Sequence, residues 1–315
     1  MSRQRPFAAS RGGVTAIAVG LTVLAVAVAA LSIAALRQGR GPGEVEATAG
    51  PAPTFTYVQR SPAPAPTASP LATPDPSPSA APDSAPGPAE RFLSVGADAM
   101  WRGVAGWCGA AAPLVERSSD GGTTWQTVTP TTKGIAQLFS LTSFGGRNAT
   151  AVVDLGASCT KNTLRTYTDG QFWEPYPDIF AVDTYALPGE RTVMVDGTRI
   201  STPCATPWGL RSAGGVTALI CEGTAYRLDG QTWTPLSADA RAVAVTAAGV
   251  YVAHTDAACP GIRITDHPAT GATVDLGCTE LDTTDAQILA LDANTGSSGT
   301  SLTLWAGNRI IDIAG

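Results

Sequence analysis

Residues that could carry catalysis are few in this sequence of 315 residues. The two histidines, His254 and His267, are isolated, and His254 lies in an apolar run where it is expected to pack or to cap rather than to act as a base. The G-x-S-x-G, P-loop and HExxH patterns, which would position a nucleophile, a phosphate or a zinc ion, do not occur. We therefore predict no catalytic residue, no metal site and no cofactor.

The six cysteines have the pattern of disulfide partners rather than of metal ligands. All of them follow residue 107, no CxxC pair occurs, and the scarcity of histidine argues against a zinc cluster. An even number of cysteines confined to one part of a chain indicates an oxidising compartment. The part of the chain that contains them is therefore expected to lie outside the cytoplasm.

The seven tryptophans, all after residue 100, are the other residues suited to recognition. Three of them follow hairpin turns and are expected to be structural: Trp125, Trp173 and Trp233. Trp107 and Trp208 neighbour Cys108 and Cys204 in predicted loops, and both a place in the core and an exposed contact remain open for them. Together with His254 they form the predicted binding set.

An uncharged run at residues 13–36 could cross a membrane. As a helix with a rise of about 1.5 Å per residue, these 24 residues would span about 36 Å, enough for the hydrocarbon core of a bilayer. A cleaved signal peptide is the alternative, but its apolar region normally has about 7 to 15 residues. We predict an uncleaved single-pass transmembrane helix after a cytoplasmic tail of residues 1–12, with an extracellular C-terminal domain.

Residues 37–90 are predicted to be a disordered linker. The stretch 41–90 contains 13 of the 24 prolines, mixed with Ala, Ser, Thr and Gly, and favours extended polyproline II structure. At about 3.1 Å per residue, such a stretch reaches on the order of 150 Å, enough to carry a domain through a thick cell wall. One β-prone island, residues 54–58, interrupts the prolines.

Residues 91–315 are predicted to form one all-β domain. They carry 14 basic and 21 acidic side chains, a net charge of −7, without a basic stripe, so nucleic acid is not expected as a partner. Short alternating apolar runs recur between Gly, Asp and Asn residues, and no helical pattern competes with them. Examples of these runs are residues 151–153, 192–195, 250–253 and 301–305.

A repeated turn motif narrows the choice of β fold. Five positions fit the pattern S-x-D-x-G-x-T-W: Ser118, Asp120, Gly122, Thr124 and Trp125. Residues 169–175 and 229–235 are degenerate copies, with one residue fewer between Asp and Trp. The pattern resembles the Asp-box, or BNR repeat, of sialidase-like β-propellers and of non-enzymatic propellers similar to photosystem assembly factors. It describes a hairpin turn whose amides bond to Ser and Asp side chains and whose Gly takes a positive φ.

The resemblance implies a β-propeller of six short blades, with five blades or a two-sheet sandwich as alternatives. In this register the blades are residues 92–130, 134–178, 180–206, 207–237, 238–278 and 279–315. The last blade offers three clear strands, which would leave a sheet edge exposed. We predict that the island at residues 54–58 adds to the last blade and covers that edge.

The same register implies which cysteines meet. Four cysteines fall at or just after the second strand of a blade, and Cys204 and Cys278 fall in connections to the next blade, so that all six lie on one face of a propeller. The implied pairs are Cys108–Cys159, Cys204–Cys221 and Cys259–Cys278. Loops joined on one face suggest that this face binds a partner, and stabilisation alone is the other explanation.

The resemblance also raises the question of sialidase activity, and the sequence argues against it. The N-terminal F/Y-R-I-P signature that carries the first arginine of the sialidase triad is absent, and residues 91–94 are no substitute. Because fold does not imply function, we expect a non-catalytic binding or scaffold module for an envelope protein or a cell-wall glycan. A divergent glycan-active hydrolase is the alternative.

Overall fold

Short alternating apolar runs form β-strands throughout the part of the chain that the structure describes. The computed structural model describes residues 85–187, 189–282, 284–296 and 299–313. The predicted tail, transmembrane helix and β-prone island, with the linker up to residue 84, lie outside these ranges. Within them, no helix is long and apolar enough to span a bilayer.

The described strands form six sheets, which we call blades 1 to 6. Blade 1 contains β1 (Arg91–Val95), β2 (Met100–Val104), β3 (Leu114–Ser118) and β4 (Gln126–Thr127), and blade 2 contains β5 (Ile135–Phe144), β6 (Asn148–Leu155), β7 (Thr160–Thr166) and β8 (Glu174–Pro175). A short helix, α1 (Pro177–Phe180), leads to blade 3, which contains β9 (Tyr185–Ala186), β10 (Thr192–Val195) and β11 (Thr198–Ser201). Blade 4 contains β12 (Trp208–Ala213), β13 (Val216–Cys221), β14 (Thr224–Asp229) and β15 (Thr232–Pro235). Blade 5 contains β16 (Ala240–Thr246), β17 (Gly249–Asp256), β18 (Cys259–Pro268) and β19 (Val274–Glu280), and blade 6 contains β20 (Leu289–Gly296), β21 (Gly299–Ala306) and β22 (Arg309–Ile313).

The six sheets close into a ring through their first strands. β1 contacts β5 and β20, β9 contacts β5 and β12, and β16 contacts β12 and β20. Within each sheet, neighbours in the chain are neighbours in space. The domain is therefore a six-bladed β-propeller, and the five-bladed and sandwich alternatives are wrong. The three strands expected of the last blade are confirmed.

Each blade packs on the next through its own apolar cluster. Between blades 1 and 2, Trp101 and Trp173 meet edge to face, with ring centroids 5.9 Å apart. Leu138 and Leu164 are almost completely buried in the same cluster. Burial of such a side chain contributes about 1.5 to 3 kcal/mol. The ring is thus held by the blade-to-blade contacts.

The seam between blades 6 and 1 has the smallest apolar cluster, in which Leu93, Ala290 and Trp305 are the buried members. Two guanidinium groups add to it. Arg91 lies 4.4 Å and Arg102 lies 5.0 Å from the centre of the Trp305 ring. Cation–π contacts of this kind contribute about 0.5 to 2 kcal/mol each and partly replace apolar area at the place where the ring closes.

The turn between β3 and β4 is built by side-chain hydrogen bonds. Ser118 Oγ accepts from the Gly122 amide at 2.9 Å, and Asp120 Oδ1 accepts from the Thr124 amide at 2.9 Å. The indole N–H of Trp125 donates to the Gly122 carbonyl at 3.0 Å. Gly122 has a φ of +87°, which a side chain would strain. The hydrogen bonds from Thr124 and Ser118 lower the pKa of Asp120 to about 2.

The turn between β7 and β8 repeats this hydrogen-bond pattern. Thr166 Oγ1 accepts from the Gly170 amide at 3.0 Å, and Thr168 Oγ1 accepts from the Phe172 amide at 2.9 Å. The indole N–H of Trp173 donates to the Gly170 carbonyl at 3.1 Å. The Thr168 hydroxyl thus accepts the amide hydrogen bond that the Asp120 carboxylate accepts in the first turn.

The alignment of this second copy on Asp169 was wrong. Thr168 occupies the place of Asp120, so the copy has the full length of the motif. The Asp169 carboxylate instead forms ion pairs with Arg117 and Arg147. The sequence suggested the wrong residue because Asp169 is the residue type that the motif has at this position. The turn needs only a side-chain oxygen that accepts a hydrogen bond from a backbone amide, and Thr168 supplies it.

The third copy is a two-residue hairpin in which Asp229 lies opposite Thr232. Its tryptophan, Trp233, donates from the indole N–H to the Ser201 carbonyl of blade 3 at 2.8 Å. In the same way, the indole N–H of Trp173 reaches the Val128 carbonyl of blade 1 at 3.1 Å. Both tryptophans therefore tie a blade to the preceding one, as structural residues.

Candidate binding site

The described part of the structure contains three disulfides: Cys108–Cys159, Cys204–Cys221 and Cys259–Cys278. These are the pairs expected from the blade register. Their Cα atoms are 6.0, 5.5 and 5.7 Å apart, as is usual for disulfides.

The disulfides mark one end of the propeller. We call this end, which carries the loops 105–113, 156–159 and 202–207, the disulfide face. Antiparallel strands bring the loop after each second strand and the connection to the next blade to the same end. One cysteine departs from expectation: Cys278 lies within β19, opposite Arg263, and not in the connection that follows, because β19 continues to Glu280.

A cavity of about 230 Å³ on the disulfide face is lined by both Trp107 and Trp208. We call it the tryptophan cavity. Its other walls include Glu90 before β1, Gln137 and Phe139 on β5, and the connection that leads to β12. Blades 1 to 4 all contribute, so the cavity forms only when these four blades pack together.

Trp107 stands at the mouth of the tryptophan cavity, with 43% of its surface exposed. The loop is anchored by a hydrogen bond from the Trp107 amide to the Ala111 carbonyl at 2.7 Å. The next amide, of Cys108, donates to Gln137 Oε1 at 3.3 Å and ties the loop to blade 2. Gly106 precedes the tryptophan with a φ of +66°, and a Cβ there would meet Pro113 N at 2.5 Å.

Trp208 does not lie in a loop, as the sequence predicted, and of the two places left open for it, the structure shows the core. It is the first residue of β12 and is only 7% exposed, because the cluster between blades 4 and 5 covers it. Its indole nitrogen is buried without a hydrogen-bond partner in the described part of the chain. Buried N–H groups usually have a partner, so the Trp208 indole is an exception to that rule.

Glu90 is the residue of this site that sequence analysis missed, since it is the last residue of the predicted linker. Some of its surface remains exposed, but its carboxyl group is enclosed by protein. Oε1 accepts from the Gly209 amide at 2.9 Å, next to Trp208. Burial raises the pKa of Glu90, while this hydrogen bond and the charge of Arg211 oppose the rise.

Charged groups also lie on the propeller axis, in a cavity of about 200 Å³ lined by Arg211, Asp292 and other residues of the first strands of blades 1, 2, 4, 5 and 6; we call it the central channel. The guanidinium of Arg211 donates to the carbonyls of Leu210 and Arg91 at 2.9 and 3.2 Å. In the same channel, enclosure raises the pKa of Asp292 to about 6, although the Val95 amide donates to it at 2.7 Å. The channel therefore contains both a basic and an acidic side chain.

His254 is not among the residues that line the tryptophan cavity. It lies half-buried on β17, where Nδ1 is 3.3 Å from the Thr255 carbonyl and Nε2 is buried without a partner among the described residues. The structure therefore brings together the two predicted tryptophans and leaves the histidine in another blade. Among the described residues, no group of three His, Cys, Asp or Glu side chains could hold a metal ion.

Two other cavities lie in the described part of the domain. One of about 460 Å³, between blades 5 and 6, is lined by Cys259, Leu281 and neighbouring residues and has no aromatic wall. The other, of about 270 Å³, contains Phe144 and Arg165. Arg165 already stacks on Phe144 and bonds Thr150 through Nε. The tryptophan cavity has three aromatic walls, Trp107, Phe139 and Trp208, more than either of these two cavities has.

No protein-family model matches the chain, and a search of curated proteins finds no relative. Solved structures match it at low identity. A GH74 enzyme of Niastella koreensis is 13% identical with a TM-score of 0.39, and the match covers 70% of this chain and 44% of that enzyme. The chain thus spans less than half the length of this enzyme.

Two further structures are binding proteins. The SapL1 lectin in complex with alpha methyl fucoside is 11% identical with a TM-score of 0.42, over 71% of this chain and 95% of the lectin. YCF48 bound to D1 peptide is 19% identical with a TM-score of 0.26, over 72% of this chain and 64% of that protein. Likenesses this distant assign no activity, and the fold rests on the six sheets themselves.

Proposed function

We propose that this protein is a non-catalytic binding module of the cell envelope. Residues 13–36 anchor the chain as a single-pass membrane helix, the proline-rich linker extends from it, and a propeller of the Asp-box type engages an envelope protein or a cell-wall glycan. Three disulfides in the described domain are compatible with an extracellular position.

One observation carries this proposal: two of the three disulfides fix the two segments that carry the cavity tryptophans. The bond Cys108–Cys159 holds the loop of Trp107, and the bond Cys204–Cys221 holds the connection that ends at Trp208. A rigid aromatic side chain binds at a low cost in entropy, because little freedom remains to be lost. The disulfides therefore preorganise the proposed site.

The test is photo-crosslinking and pull-down from intact cells with the full anchored chain. Trp107→Ala removes the exposed wall of the tryptophan cavity and should lower capture at least fivefold. Phe172→Ala is the matched control, because Phe172 is an aromatic residue, 69% exposed, in the turn between β7 and β8 at the opposite end of the propeller. It should leave capture unchanged.

Two results would contradict the proposal. Equal capture by the wild type and Trp107→Ala would show that the partner binds elsewhere. Turnover of cell-wall glycans or sialosides by the purified chain would instead favour the divergent glycan-active hydrolase.

A further inference from the structure

The charge on the described residues that line the tryptophan cavity is of one sign, negative. Among the described residues that line it, Glu90 is the only charged one. Lysine and arginine are absent from this set, and the other polar side chains are Gln137 and Thr206. The remaining walls are aromatic, aliphatic or glycine. A ligand that complements such a cavity carries positive charge on an otherwise apolar body.

The carboxyl group of Glu90 is only partly compensated by its own surroundings. Gly209 supplies one amide hydrogen bond to Oε1. The guanidinium of Arg211, the basic group that acts on it, donates to the backbone carbonyls of Leu210 and Arg91. Enclosure still raises the pKa of Glu90, so a cation entering the cavity would stabilise the ionised form.

The aromatic walls favour the same kind of ligand. Trp107 and Trp208 offer indole rings, the best side chains for attracting a cation, and Phe139 adds a third ring. The Phe139 ring already has a cation of the protein beside it, since Lys161 Nζ, which pairs with Asp154, lies 3.9 Å from the ring centre. The two indoles are therefore the rings left for a ligand. The net charge of −7 over residues 91–315 also draws cations toward the domain.

We propose that the tryptophan cavity binds an alkylammonium group, with Glu90 as the counter-charge and Trp107 and Trp208 as the aromatic walls. The ammonium belongs to the envelope partner, as an amine or a quaternary ammonium at the end of a short chain. This inference rests on the proposed function, since it names the chemistry recognised by the same cavity. The volume of about 230 Å³ admits a trimethylammonium head with a few further atoms.

The experiment compares choline with 3,3-dimethylbutan-1-ol, which has the same shape without the charge. The full chain in detergent is titrated with each probe by calorimetry and by tryptophan fluorescence. Choline should bind at least tenfold more tightly than the neutral isostere. Trp107→Ala should weaken choline binding, and Glu90→Gln should remove the preference for choline over the isostere.

Asp183→Asn is the matched control for Glu90→Gln. Asp183 is also a half-buried carboxyl whose pKa burial raises, but it lies outside the tryptophan cavity, so its variant should keep the preference for choline. If Glu90→Gln does not fold, the comparison of the two probes on the wild type still decides the question.

Several outcomes would overturn the inference. Equal affinity for choline and its isostere, no binding of choline, or a methyl glycoside that binds as tightly as choline would each exclude an ammonium site. If choline fails while Trp107→Ala still abolishes partner capture in cells, the ammonium chemistry is wrong and the binding function stands. If choline does not bind and Trp107→Ala leaves partner capture unchanged, the cavity is not the binding site.

Discussion

At the residue scale, two aspartates show how their surroundings decide what a carboxylate does. Asp120 is exposed in a turn, and hydrogen bonds from Thr124 and Ser118 lower its pKa to about 2. Asp292 is enclosed in the channel, where desolvation raises its pKa to about 6 despite the hydrogen bond from the Val95 amide. The ionised Asp120 carboxylate stabilises the turn. The ionised Asp292 carboxylate destabilises the folded domain in the neutral pH range because it is desolvated.

The first prediction concerns Asp292→Asn. Because the pKa of Asp292 in the folded state exceeds its ordinary value of 3.8, the folded domain binds the proton more tightly than the unfolded chain does. The resulting stabilisation is complete below about pH 4 and is lost as the pH rises through about 6, on the order of 3 kcal/mol. The Tm of Asp292→Asn, relative to that of the wild type, should therefore increase as the pH rises from 4 to 7. A Tm difference that stays constant over this range would contradict the prediction.

The second prediction concerns Trp173→Phe. Phenylalanine keeps most of the apolar contact but loses the indole bonds to Gly170 and to Val128 of the preceding blade. We expect a loss of about 2 kcal/mol in the free energy of unfolding, measured by circular dichroism in denaturant. Trp233→Phe is the control, because this half-exposed tryptophan has one such bond and should cost less. A larger loss for Trp233→Phe than for Trp173→Phe would contradict the prediction.

At the element scale, a disulfide can stabilise a loop or position it. Peptide mapping without reduction should recover the three pairs, and a Cys108–Cys278 or Cys159–Cys204 bridge would overturn the register.

By the chain-entropy estimate, each disulfide contributes roughly 3 to 4 kcal/mol to the free energy of unfolding. The double variant Cys108→Ser with Cys159→Ser should lose Tm and partner capture. Cys259→Ser with Cys278→Ser should lose Tm alone, and equal capture by both double variants would leave the disulfides with a stabilising role only.

The outer strand of blade 6 is the other element that invites a test. In the described part of the chain, β22 (Arg309–Ile313) pairs only with β21 and presents an open edge. An open edge is a place where another strand can add. Removing residues 1–60, and with them the island 54–58, should lower Tm relative to removing residues 1–50. Equal Tm values for the two truncations would mean that the island does not cover this edge.

At the scale of the whole molecule, the proposed anchor would keep the propeller with the membrane, and the predicted linker would give it reach. If residues 13–36 remain uncleaved, the mature protein should begin near Met1 and fractionate with membranes, as shown by N-terminal peptide mass analysis of each fraction. A mature N-terminus between residues 30 and 50, found in the culture medium, would instead identify a cleaved signal peptide.

The local features of the domain could be predicted because they depend on neighbours in the chain. Alternating apolar residues and glycine turns indicated the strands, and the motif around Ser118 and Asp120 indicated the blade register. The cysteine pairs followed from that register. The seam between blades 6 and 1 had no such signal, since Arg91 and Trp305 are far apart in the sequence and meet only when the ring closes.

The composition of the site was decided by tertiary structure. Sequence spacing placed Trp107 and Trp208 in similar loops, yet packing between blades 4 and 5 buries Trp208 and leaves Trp107 at the mouth of the cavity. Glu90 looked like the end of a linker, and His254 looked like a member of the site. Which side chains share a cavity depends on how six sheets meet around one axis, and this long-range arrangement has no period that a local pattern could show.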